Sequence, residues 1–436
     1  MKALETATKH NERGREAPVA RRPKPKGETT NRRSWPGRLI DTIEAGSART
    51  VALDYTLILV CSILLACFGV LMVQSSASVE AIAKGQDGFT VALSQAIFAG
   101  VGIVLMLIMQ FISPQTLKKC AWAAALLAII LLFLVAFTSL GHEVLGNKNW
   151  ITIGSIRMQP SEFAKLSLAV FAAFMFEKKQ SLLGDIKHLL VPVVAPVGGA
   201  IVLLVLLGHD VGTVLILVMV LAAALFLAGM RFKWLLLSVA VGFIGFAGAV
   251  LMSGNRRTRI KAWLGIDCGS NGDACLQSSM GLHAFASGGW FGVGPGQSRM
   301  KWSYVPEAQN DFIFSILGEE FGFLGVLAVL VLFALIALAM YRIAMRATDL
   351  YTRILMGCLI SWIIGQTFVN LGTVSGLLPV IGVPLPFISS GGSAMLAVMM
   401  AMGFALSSAR DQKRELLAQA VTAGPAQTKK QGTDEA

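Results

Sequence analysis

The chain has 436 residues, of which 55% are hydrophobic and only 14% charged, and its mean hydropathy is +0.68. Soluble globular domains carry about 25% charged residues, so long apolar runs with so few charges describe an all-α polytopic membrane protein. An extracellular disulfide scaffold, a coiled coil and a nucleic-acid module are thereby excluded as the main architecture. The net charge of +12 is distributed as membrane topology requires, not as a nucleic-acid surface.

Residues 1–50 hold 12 of the 37 Lys and Arg and no hydrophobic stretch. They lack the apolar region of a cleavable signal peptide and are expected to be a disordered basic cytoplasmic tail, since they cannot bury enough apolar surface to offset chain entropy. Apolar runs then recur at about ten places, each near the ~20 residues that a bilayer core requires: 55–73, 90–112, 120–140, 160–176, 189–208, 211–229, 234–253, 312–340, 354–374 and 387–408. A membrane domain is expected over 51–409, with a large extracytoplasmic loop at 254–311 between spans seven and eight, and a second cytoplasmic tail at 410–436. An even number of spans puts both termini on one side. Placing them in the cytoplasm leaves 27 Lys and Arg inside and 9 outside, as the positive-inside rule demands.

Six of the nine outer cations fall in the 254–311 loop, four of them in Arg256-Arg257-Thr258-Arg259-Ile260-Lys261 directly after span seven. Such a cluster can grip a diphosphate through charge-assisted bonds or rest on anionic lipid. Cys268 and Cys275, in the same loop, are spaced so that an oxidising exterior would permit a disulfide. Gly288–Gly296 resembles a phosphate-cradling loop, but neither a preceding strand nor a following Lys-Ser/Thr supports a nucleotide site. A mobile re-entrant or lid segment is expected there instead.

Ionisable residues at membrane depth are costly and mark function. Glu162 and Lys165, three apart at the start of span four, share a helical face and can pair, either as a structural tie or as a cavity-facing pair whose Lys meets phosphate. Asp210, in His209-Asp210-Val211-Gly212-Thr213, suits a helix N-cap. Asp311 lies where the loop meets span eight, between a polar substrate above and a lipid tail beside it. It can cap that span, or partial desolvation can strengthen it as a base. Gln366 and Asn370 share a face of span nine. Beyond them a Pro- and Gly-rich stretch ends in Ser389-Ser390-Gly391-Gly392-Ser393, backbone that is tolerated at membrane depth where it lines a cavity or packs tightly.

The run Pro306–Gly322 (PEAQNDFIFSILGEEFG) is similar to the signature of the SEDS family (shape, elongation, division and sporulation) of membrane proteins. QPSEFAKL at 159–166, HDVGT at 209–213, SGGWFGVGPGQSRMKW at 287–302 and GLLPVIGVPLPFISSGGS at 376–393 fall in the family's order. The resemblance covers roughly residues 50–410. The wording of GQSRMKW and PEAQNDFIF and the long basic N-tail favour the division-associated branch over the elongation branch.

This resemblance implies a peptidoglycan glycosyltransferase that polymerises lipid II on the outer face of the bacterial cytoplasmic membrane, at the division septum, releasing undecaprenyl diphosphate. Asp311 matches the family's essential aspartate, which would deprotonate or orient the acceptor hydroxyl. Glu162, Lys165, Ser389, Ser390 and Gly391 match polar and small residues of the central cavity, and Arg256 and Arg259 the basic stretch with a phosphate role. A divalent cation, Mg or Mn, would help neutralise the diphosphate. The implied partners are undecaprenyl-linked glycan, a class B penicillin-binding protein acting as transpeptidase, and other division-complex membrane proteins. Gln309 stands where the family commonly has His, and Gly208-His209 departs from the family's wording before Asp210. A lipid II flippase, an elongation polymerase and a division scaffold are the competing readings.

Overall fold

The computed structural model describes residues 48–83, 85, 87–144, 147–154, 156–183, 185–191, 193–252, 254–266, 272–302 and 309–422. The basic tail expected over 1–50 lies almost wholly outside the described residues, as does the region that would show whether Cys268 and Cys275 pair.

Helices dominate the described residues: α1 (Ala48–Ala83), α2 (Thr90–Met109), α3 (Pro114–Phe137), α4 (Pro160–Lys178), the short α5 (Ile186–Leu190), α6 (Gly199–Leu207), α7 (Val211–Leu227), α8 (Phe232–Met252), α9 (Gly254–Trp263), α10 (Gly272–Gly288), α11 (Ile313–Arg346), α12 (Leu350–Val374) and α13 (Gly392–Thr422). Six of them are long and apolar enough to cross a membrane, within α1, α2, α3, α11, α12 and α13. The other expected spans coincide with α4, which carries charge at both ends, with α6 preceded by a wide turn at Val193–Gly198 that holds Pro196, and with α7 and α8.

Three features depart from the sequence expectation. Residues 141–158 form a small antiparallel sheet, β1 (Gly141–Val144), β2 (Asn147–Ile153) and β3 (Ile156–Met158), in the order β1-β2-β3. The loop 254–311 contains two helices, α9 and α10, among its described residues. The last helix starts at Gly392 rather than 387 and continues to Thr422, into the stretch expected as tail. Its polar residues after Ala409 leave the apolar bundle without ending the helix, because none of them is Gly or Pro.

α4 is the central helix. Of its 19 residues 15 are buried, and it packs against α3, α7, α12 and α13. α2 and α3, by contrast, present Leu93, Ile97, Leu126, Leu127 and Phe133 outward, as helices facing lipid do. At one end of the bundle the charges are paired. Asp54 of α1 accepts from Arg342, at 3.3 Å, and from Arg346 of α11, while Lys118 of α3 reaches Glu177 of α4 at 2.8 Å and Asp349 at 3.6 Å. The opposite end carries the sheet and the polar loops described next.

α11 is broken at Gly322, whose φ of 67° and ψ of −167° belong to a region that is essentially glycine-only. The break frees backbone groups, and the segment after α10 takes them up. The amides of Val293 and Gly294 donate to the carbonyls of Glu319 and Glu320 at 2.9 and 3.0 Å, and those of Phe323 and Leu324 donate to Gly289 and Trp290 at 2.9 and 3.2 Å. Side chains lock the same junction. Glu319 accepts from the Ser298 hydroxyl and the Arg299 amide, and Glu320 accepts from Ser75 and from Lys301 at 3.2 Å. The glycine-rich segment expected to be a mobile lid is thus fastened to α11 and α1, since unpaired carbonyls at membrane depth are too costly to leave.

Candidate functional site

The turn at 309–312, just before α11, sets the position of Asp311. It is held from two sides. Asn370 Nδ2 of α12 donates to the Asp311 carbonyl at 2.8 Å and to the Val383 carbonyl, also at 2.8 Å. From the loop that precedes α13, Ser389 Oγ donates to the Asn310 carbonyl at 2.7 Å and the Ser390 amide to the Gln309 carbonyl at 3.0 Å. The Asp311 side chain is half-buried and stands beside Gly382, where a β-carbon would come within 3.4 Å of Oδ2. Gly382 has a φ of 78°, so only glycine turns the chain there without strain and without crowding the carboxylate.

The 376–391 loop is itself over-determined. Gln366 Nε2 of α12 donates to the Pro384 carbonyl at 2.7 Å, and the Leu385 amide donates to Ser389 Oγ at 2.7 Å. Gln95 of α2 accepts from the Gly391 amide at 3.2 Å. Phe387 is held at a φ of 65°, a left-handed conformation that costs a non-glycine residue about 1–2 kcal/mol. It persists because its ring is buried near Phe333, with centroids 6.0 Å apart.

Behind this loop lies the Glu162 and Lys165 pair. Lys165 Nζ donates to Glu162 Oε1 at 2.8 Å and to Gln366 Oε1 at 3.0 Å, and sits 5.1 Å from the centre of the Trp362 ring. The two side chains are only 1% and 2% exposed. The structure therefore connects Glu162, Lys165, Gln366, Pro384 and the loop that supports Asp311, while Lys165 itself is enclosed. Direct contact with a diphosphate would require the groups that enclose Lys165 to move away.

Arg259 of α9 donates to the Val380 carbonyl of that same loop, at 3.5 Å, and Trp263 Nε1 donates to Gly376 at 2.8 Å. This places the basic helix against the loop that flanks Asp311. Arg256 is one turn earlier on α9, and its side chain lies outside the described residues. Arg257 and Lys261 are exposed.

Asp210 caps α7. Its carboxylate accepts from the Thr213 amide at 3.0 Å, the Thr213 hydroxyl at 2.8 Å, Asn149 of β2 at 2.8 Å and Gln159 at 3.0 Å. Asn149 and Gln95 escaped the sequence reading, and Ser298 and Lys301 entered it only as part of the 287–302 motif. Each is an ordinary polar residue in sequence and acquires its role only from the element across from it. Among the described residues no three His, Cys, Asp or Glu side chains cluster to hold a metal ion. A Mg or Mn ion held chiefly by the substrate's diphosphate needs only one or two protein carboxylates.

Residues 55–414 match the family model described as cell cycle protein, of the FtsW, RodA and SpoVE type. The chain is 36% identical over 356 residues to stage V sporulation protein E of Bacillus subtilis, covering 81% of this chain and 96% of that protein. It is 34% identical over 351 residues to a probable peptidoglycan glycosyltransferase FtsW of Geobacter, covering 80% and 95%. Among solved structures, a chain from a peptidoglycan synthase complex that coordinates polymerisation and crosslinking superposes with a TM-score of 0.67 at 25% identity, covering 81% of this chain and 97% of that one. Thermus thermophilus RodA, a rod shape determining protein, superposes at 0.60 with 25% identity, covering 81% and 96%.

Proposed function

We propose a function from one premise: the chain belongs to the FtsW, RodA and SpoVE family of cell cycle proteins, the SEDS family. It is a peptidoglycan glycosyltransferase. Our reading of its reaction is polymerisation of lipid II into β-1,4 glycan strands at the outer membrane face during division. The tails lie in the cytoplasm, about ten segments cross the bilayer, and undecaprenyl diphosphate leaves.

The observation that carries this reading is a half-buried carboxylate, Asp311, whose own carbonyl is held by Asn370 and whose preceding turn is held by Ser389 and Ser390, beside a loop that Arg259 also touches. In the proposed step the acceptor sugar's 4-hydroxyl attacks the anomeric carbon of the donor. The new C–O bond forms as the bond from that carbon to the diphosphate breaks. Asp311 takes the hydroxyl proton, and the departing diphosphate carries away the electron pair, stabilised by the Arg256 and Arg259 cations. No step is routed through a metal ion.

Glu162 and Lys165 act in this reading through the loop rather than on substrate, because both are enclosed and their chain of contacts ends at Pro384. Ser389 and Ser390 hold the 309–312 turn, and the Gly391 amide donates to Gln95 Oε1. A class B penicillin-binding protein is the proposed partner, together with other division-complex membrane proteins and the undecaprenyl-linked glycan product. The wording of GQSRMKW and PEAQNDFIF and the basic N-tail support a division role at the septum.

The test is glycan polymerisation from purified lipid II in nanodiscs, with and without the penicillin-binding partner, comparing the native chain with Asp311→Asn. Long glycan from the native chain and none from a folded Asp311→Asn supports the reading. Equal activity from both chains removes Asp311 from the chemistry. No polymer from either, even with partner and divalent cations, overturns the polymerase reading in favour of a flippase or scaffold.

A further inference from the structure

The described residues include one large apolar display that the proposed chemistry does not use. Trp290 is 68% exposed, Phe291 81% and Trp302 60%, with Val293 also exposed. These are not the side chains of a loose loop, because the backbone on both sides of them is bonded into the break of α11 and Ser298 and Lys301 of the same segment are buried. The display also continues an apolar stripe. The Trp290 ring meets Phe323 edge-on at 5.3 Å, and Phe323, Leu324, Leu327 and Val331 run outward-facing down α11.

Height along α11 identifies what covers this surface. A rise of about 1.5 Å per residue puts roughly 30 Å between Gly322 and Arg342, about the thickness of a bilayer's hydrocarbon core. Arg342 and Arg346 mark one polar boundary, so the break at Gly322 marks the other. Trp290 and Phe291, bonded to that break, fall at the level where amphipathic aromatic rings settle in membranes.

We infer that Trp290 and Phe291 form an interfacial anchor that dips into the outer leaflet and pins the 288–302 segment at the membrane surface. The anchor sets the height of the first turns of α11, residues 313–321, and so holds Asp311 at the level of lipid headgroups and their phosphates. The stripe favours lipid over protein as the occupant, because it is continuous with the α11 face that lines the hydrocarbon. The anchor does not depend on the identity of the substrate, and its assignment to the outer leaflet rests on the orientation proposed above.

A nitroxide placed at Phe291→Cys, in a chain whose native cysteines are replaced, tests it in nanodiscs of phosphatidylethanolamine and phosphatidylglycerol. A second label at the exposed Arg299→Cys is the reference. Collision with oxygen should exceed collision with a water-soluble nickel chelate at 291, and the order should reverse at 299. Nickel access at 291 equal to that at 299 overturns the inference. Shielding from both reagents at 291 assigns the surface to protein contact and also overturns it. Should the labelled chain fail to fold, quenching of tryptophan by lipids brominated near the headgroup end of the acyl chain gives the answer. The native chain should lose a larger fraction of its fluorescence than Trp290→Phe, and equal quenching refutes the anchor.

Discussion

Asn370 carries more of the site than its chemistry suggests. One side-chain amide serves two carbonyls, those of Asp311 and Val383, and so couples the turn that bears the carboxylate to the loop opposite it. Leaving a buried acceptor unsatisfied costs about 1–3 kcal/mol. Asn370→Ala is accordingly expected to lower the turnover of glycan synthesis much more than it raises the KM for lipid II, which steady-state rates from nanodiscs resolve. A parallel loss in both would mean that Asn370 serves binding instead. The Glu162 and Lys165 pair behaves differently, since removing one partner strands a buried charge. Lys165→Met should cost about 3–5 kcal/mol, whereas Glu162→Gln with Lys165→Met should recover much of it. Thermal unfolding of the single and double variants in detergent measures the difference, and equal losses would contradict a paired role.

At the scale of elements, α11 is designed around its interruption. Gly322 allows the helix to open where Glu319 and Glu320 present carbonyls to Val293 and Gly294, and a β-carbon there would meet the Gly292 amide nitrogen at 2.3 Å. Gly322→Ala therefore pays twice, in backbone strain of about 1–3 kcal/mol and in displacement of the 288–294 segment. Hydrogen exchange at the Val293 and Gly294 amides should accelerate in the variant, while amides in α4 stay protected. Unchanged exchange at both would show that the side-chain ties through Lys301 and Ser298 suffice. The β-hairpin plays a comparable part on the other side. The Lys148 amide donates to the Gly208 carbonyl at 2.9 Å and Asn149 reaches Asp210, so the hinge between α6 and α7 is braced by strands.

For the whole molecule, the charge distribution and the two ends of the bundle make one prediction about topology. Glu143 of β1 and Lys119 of α3 are both exposed and lie at opposite ends of α3. With tails in the cytoplasm, Glu143→Cys should react with a membrane-impermeant maleimide in intact cells, and Lys119→Cys only after permeabilisation. The reverse pattern would invert the proposed orientation and put Asp311 on the wrong face for an extracytoplasmic polymerase.

Hydropathy placed the six long helices that can cross a membrane, because a bilayer core admits only segments that satisfy their own backbone hydrogen bonds over about twenty apolar residues. Short polar wording likewise points to Asp311, Arg259 and the Ser389-Ser390-Gly391 run. What the linear chain could not disclose was pairing across distance. Lys165 looks equally suited to a phosphate or to a carboxylate until α12 brings Gln366 and Trp362 against it. Trp290-Phe291 looks like a flexible glycine-rich loop until the opened backbone of α11 claims its hydrogen bonds. Which polar group satisfies which is decided by the tertiary packing, since a desolvated donor or acceptor must find its partner wherever the fold has placed one.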